Sequence, residues 1–67
     1  MKVIQDKLTD TLSIILREGK VAVRDEARPG NILDYDKSGQ LVSIELLDGC
    51  EQVKGPQSVE FTFAATE

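Results

Sequence analysis

The sequence predicts a mainly β protein, a single antiparallel sheet or meander of five to six short strands with a central hairpin, with α+β character confined to one short helical turn. Three features carry that expectation. Two runs rich in β-branched and large apolar residues, Ile32 to Tyr35 and Leu41 to Leu47, flank Asp36-Lys37-Ser38-Gly39. That tetrapeptide has Asp at the first position of a type I turn and Gly where the chain must adopt φ > 0. Shorter alternating runs, separated by connections that carry Gly or Pro, fill much of the remaining chain, and no helical period is sustained over ten residues anywhere.

From the N-terminus, Lys2-Val3-Ile4-Gln5 reads as a strand, and Asp6 to Asp10, poor in strand formers, as a turn or a short helical turn. Thr11 to Leu16 is the second strand, with Leu12, Ile14 and Leu16 on one face. Arg17-Glu18-Gly19-Lys20 is expected to be a tight connection between antiparallel neighbours. A third strand follows with Val21 and Val23 facing one way and Ala22, Arg24 and Glu26 the other, and it ends before Pro29-Gly30 because proline cannot donate to a ladder. In the hairpin, a bulge at Gly39 sets Asp36 opposite Gln40, Tyr35 opposite Leu41, Asp34 opposite Val42, Leu33 opposite Ser43 and Ile32 opposite Ile44. Beyond Asp48-Gly49, Cys50 to Lys54 suits one helical turn and Gly55-Pro56 a break. Val59, Phe61 and Phe63 alternate with Ser58, Glu60 and Thr62 as a last strand, leaving Ala64 to Glu67 as a frayed end.

At 67 residues the chain is one small domain, residues 1–67, and folding at this size removes only about 60% of the unfolded surface. A net charge of −4 with basic residues scattered singly opposes binding to nucleic acid or to anionic membrane, both of which need concentrated positive charge. The N-terminal residues have no apolar run of signal-peptide length, and nothing approaches a membrane span. Cys50 has no partner for an internal disulfide, which fits a reducing cytoplasmic setting with the thiol as a small buried hydrophobe.

Asp6, Asp10, Leu12, Ile14 and Leu16, then Gly19-Lys20-Val21, then Pro29-Gly30 with Ile32 to Asp36, Gly39, Leu41, Val42, Ile44, Glu45, Leu47 and Asp48 form a pattern that resembles the small bacterial family called domain of unknown function 2283. The resemblance spans Met1 to about Asp48, with departures at Ser13, where an aromatic is usual, and at Lys7, where proline is common. It implies no activity. Some relatives look like the antitoxin half of a small two-gene toxin module, which implies a protein partner encoded by the neighbouring gene.

One motif suggests chemistry. Asp34, Asp36, Ser38 and Glu45, with Gly39 and Leu41 between them, match the spacing of an EF-hand calcium loop. Such a loop needs a helix on each side, and here Pro29-Gly30 precedes it and β-branched residues follow it. In the register above, Asp34 and Asp36 also face away from Glu45. The alternative function is therefore a divalent-cation site at these four residues. Enzyme chemistry has less support, because with no His and a lone Cys the usual nucleophile and base pairs cannot be built. Asp36 is expected to cap its own turn amides. We expect no catalytic residues and no cofactor.

The same register leaves neither hairpin face polar, with Ile32, Val42, Ile44 and Leu46 on one side and Leu33, Tyr35, Leu41 and Leu47 on the other. A protein-protein interaction module follows, as a homodimer or with a neighbouring-gene product, contacting its partner through Leu33, Tyr35, Leu41 and Leu47. Tyr35 is its anchor. A self-associating structural module without a ligand is the remaining alternative.

Overall fold

The computed structural model describes residues 1–53 and 58–64. Five strands, β1 (Lys2–Asp6), β2 (Thr11–Ile15), β3 (Val23–Arg28), β4 (Asn31–Tyr35) and β5 (Leu41–Leu46), form one antiparallel sheet in the order β1-β2-β5-β4-β3. One short helix, α1 (Gly49–Gln52), follows β5. The mainly β expectation holds, and the helical turn lies within one residue of its expected start.

The order is not a simple meander. β2 and β3 are consecutive in sequence but are not neighbours, so the segment around Arg17-Lys20 crosses from the middle of the sheet to its far edge. The ladder energetics explain the exchange. β2 pairs with β5, setting Leu12 opposite Leu46 and Ile14 opposite Ile44, two apolar cross-strand pairs. The third strand carries Arg24, Asp25, Glu26 and Arg28 and is exposed throughout, a composition that suits an edge.

Two hairpin turns are built as their residues dictate. Pro29-Gly30 joins Arg28 to its partner Asn31, with Gly30 at φ 83°, a conformation that costs a residue with a Cβ. In the central hairpin the Gly39 amide donates to the Asp36 carbonyl at 3.0 Å, and Gly39 also sits at φ 83°. Asp36 Oδ1 accepts from the amides of Ser38 at 2.8 Å and Gln40 at 2.9 Å, so the carboxylate caps its own turn.

The register departs from expectation two residues further on. Tyr35 does oppose Leu41, but the ladder then slips, so that Asp34 opposes Ser43, Leu33 opposes Ile44 and Ile32 opposes Glu45. Val42 is the extra residue of a second bulge. Its carbonyl accepts from the amides of Leu16 and Arg17, which anchors the bulge to the end of β2. A one-residue slip reverses the facing of every later side chain relative to the partner strand. The two faces that were both expected to be apolar become distinct.

Residues opposite one another share a face. One face gathers Val3, Leu12, Ile14, Ile44, Leu46, Leu33, Tyr35 and Val23; the other gathers Thr11, Ser13, Ser43, Glu45, Asp34, Arg24 and Glu26, together with Ile4, Ile15 and Ile32. Val42 is the only apolar residue buried among the described residues, at 4% exposure, so the apolar face is half-covered rather than enclosed.

The β1–β2 turn and α1 are tied together by Asp10. Its carbonyl accepts from the Gly49 amide at 2.7 Å, and its carboxylate accepts from the Cys50 amide. Cys50 itself is exposed, not buried as expected. The last strand is also not formed: residues 58–64 carry no ladder, and Val59, Phe61 and Phe63 are exposed. An alternating pattern makes a strand only where it finds a partner strand; here Ser58 and Val59 instead line a cleft with Val3, Leu12 and Val53. Gly55-Pro56 lies outside the described residues.

Candidate functional site

Two surfaces are candidates, one on each face of the sheet. On the polar face, β3, β4 and β5 bring Arg24, Asp34, Ser43 and Glu45 together. Asp34 is 1% exposed and is the largest fully buried side chain among the described residues. Its Oδ2 accepts the Ser43 hydroxyl at 2.8 Å, and its Oδ1 lies 3.1 Å from Arg24 Nε. That second contact is an ion pair, with the N–H not aligned for a hydrogen bond. Arg24 Nη2 reaches on to Glu45 Oε2, so one guanidinium spans both carboxylates.

The proximity of the two acids shows in Glu45. Its hydrogen bond with Asp34 comes first among the causes that raise its pKa from the usual 4.5, followed by burial and the Asp34 charge; Arg24 opposes them. The Cys50 thiol is also pushed up, chiefly by its hydrogen bond to the Asp10 carboxylate and then by that carboxylate's charge, which disfavours the thiolate.

This geometry revises the cation motif. Asp34 and Glu45 share a face, contrary to the expected split, because the Val42 bulge turns Glu45 towards Asp34. The guanidinium of Arg24 already lies between them, however, and Asp36 Oδ1 serves its own turn. Ser38 is exposed in that turn. Among the described residues, no group of three or more His, Cys, Asp or Glu is placed to hold a metal ion. The sequence reading missed Arg24, whose role is legible only once β3 is known to pair with β4.

On the apolar face, Leu33 and Tyr35 lie together with Ile44, and Leu41 opposes Tyr35. Leu47 does not join them. It follows Leu46 on β5 and lines a depression on the polar face with Ile4, Thr11, Ser13 and Glu45. Three of the four expected contact residues are therefore brought together and the fourth is on the other side. The residues missed are Ile44, which the slipped register adds, and Ile14 and Val23, which join through the pairing of β2 with β5 and of β3 with β4.

Many of the residues that carry the family pattern have structural roles. Asp6 Oδ1 accepts the Leu8 amide, Asp10 holds α1, and Asp48 enters α1 at φ 52°. The family model described as a protein of unknown function, DUF2283, matches residues 2–48, which is the sheet and its connections without α1 or the segment after it. No curated protein and no solved structure matches the chain. Among the described residues no helix is long and apolar enough to cross a membrane.

Proposed function

This chain belongs to the DUF2283 family, and we propose that it is a protein-protein interaction module whose binding surface is the apolar face of the sheet. The observation that carries the reading is the separation of the faces: polar and charged side chains collect on one, while Leu12, Ile14, Ile44, Leu46, Leu33 and Tyr35 stand half-covered on the other. A sheet needs a second layer over its apolar face, and the one helix among the described residues is four residues long. The matched region stops before that helix, so the part of this chain that the family model covers is the sheet with its one apolar side. The net charge of −4 supports a protein partner over nucleic acid or anionic lipid, in a cytoplasmic setting.

Native mass spectrometry tests this, on the chain alone and after co-expression with the product of the neighbouring gene. The expected result is an assembly in at least one sample, lost in Val23→Asp on the apolar face and kept in Ser13→Lys on the polar face. A free chain of 7.4 kDa in both samples overturns it.

A further inference from the structure

We infer that the C-terminal segment is a strap whose Phe61 ring closes into the cleft at the β1 end of the apolar face. The cleft has a volume of about 250 Å³ and is lined from the sheet by Val3, Gln5 and Leu12 and from the C-terminal side by Val53, Ser58 and Val59. Val3 lies opposite Ile14 and Gln5 opposite Leu12, so the sheet residues of the lining belong to the apolar face. No lining residue is charged. An apolar cavity of about 150 Å³ already accepts benzene, so this cleft has room for a phenyl ring.

Reach selects the ring. The chain has two phenylalanines and one tyrosine, and Tyr35 stands on β4, two strands away from β2 and Leu12. Phe61 follows Val59 by two residues, at most about 7 Å of extended chain, and alternate side chains of an extended run leave on the same side. Val59 lines the cleft, so Phe61 is within range of it and Phe63, at twice the distance, is not. In the open arrangement Phe61 is 69% exposed, a large apolar ring left in water beside an uncharged cleft.

The tether decides between this ring and one supplied by another molecule. A group joined to its site by a short flexible linker is present there at an effective concentration on the order of millimolar, and an outside aromatic side chain must overcome that advantage. The strap covers Val3 and Leu12 and leaves Val23, Leu33 and Tyr35, toward the β3 edge, open to a partner. It is a property of the free chain and does not rest on the binding-module reading, so either can fail without the other.

Methyl-to-aromatic nuclear Overhauser spectra of the full chain test the inference, with Phe61→Leu and Phe63→Leu beside the parent. Both positions are exposed, so neither variant puts folding at stake. The expected result is cross-peaks from the Phe61 ring to the methyl groups of Val3 and Leu12 that persist on dilution. Those methyl resonances are expected to be displaced upfield by the ring, with the displacement lost in Phe61→Leu and kept in Phe63→Leu. No cross-peak from the Phe61 ring to either residue overturns the strap, as does a displacement that Phe63→Leu removes and Phe61→Leu keeps. Cross-peaks found only between labelled and unlabelled chains in a mixed sample also overturn it, because the ring in the cleft then comes from another molecule.

Discussion

Asp34 illustrates how one residue's burial decides what its neighbours can do. At 1% exposure it draws Ser43 and Arg24 to itself, and Arg24 in turn engages Glu45, so the acids that spell a calcium loop in the sequence are bound to protein groups in the fold. Calcium at micromolar to millimolar concentration, the affinity span of such loops, is therefore expected to leave the amide spectrum unchanged. Saturable shifts centred on Asp34, Asp36 and Glu45 would refute this. Glu45 gives a pH signature with a definite sign. Its folded pKa is raised above the ordinary 4.5, so the stability it contributes is complete below about pH 4.5 and is lost as pH rises through the folded value. Thermal unfolding measured across that window should decline in the parent and decline less in Glu45→Gln; identical profiles would contradict the shift. Gly39 is the residue read most directly from sequence. A Cβ there meets nothing within 4 Å, so the cost of Gly39→Ala comes from φ 83° alone, about 1 kcal/mol by chemical denaturation. Asp36 and Gly39 were legible because turn chemistry is local. Arg24 was not, because its partners lie on two other strands.

The strands show where local reading stops. Five strands were legible from β-branched runs and their breakers, but the Val42 bulge carries no Gly or Pro to announce it. The alternation does not decide between registers: the slip sets Ser43 level with Asp34 and Ile44 with Leu33 but Glu45 with Ile32 and Leu46 with Asn31, whereas the regular hairpin would match Ile32 with Ile44 and Asn31 with Glu45. The reading took the turn's register through to the end of the strand and so mixed the faces. Paired cysteines check the observed ladder in a Cys50→Ser background. Leu33→Cys with Ile44→Cys should oxidise readily, since directly opposite positions place their Cβ atoms about 5 Å apart. Leu33→Cys with Ser43→Cys should not, as these side chains leave opposite faces. The reverse outcome would restore the regular hairpin. The failure of Val59 to Phe63 as a strand has a different cause: its pattern is clear, but pairing depends on a partner strand, which no local pattern encodes.

For the chain as a whole, a partner was inferred from sequence for a reason the fold replaces. The expectation rested on two apolar faces; the sheet has one, and the need for a cover now comes from a one-layer architecture with a single buried apolar residue among the described ones. Its smallest dimension is 20 Å. A second layer packs about 10 Å from a sheet, so a partner chain on the apolar face would convert an open layer into an ordinary two-layer domain. The measurement that bears most directly on this is an isotope-filtered spectrum of the labelled chain mixed with unlabelled partner, either a second copy or the neighbouring-gene product. The expected result is intermolecular contacts to the methyl groups of Ile14, Leu33 and Ile44 on the apolar face. No intermolecular contacts with either partner, or contacts confined to Ile4, Ile15 and Ile32 on the opposite face, would contradict it.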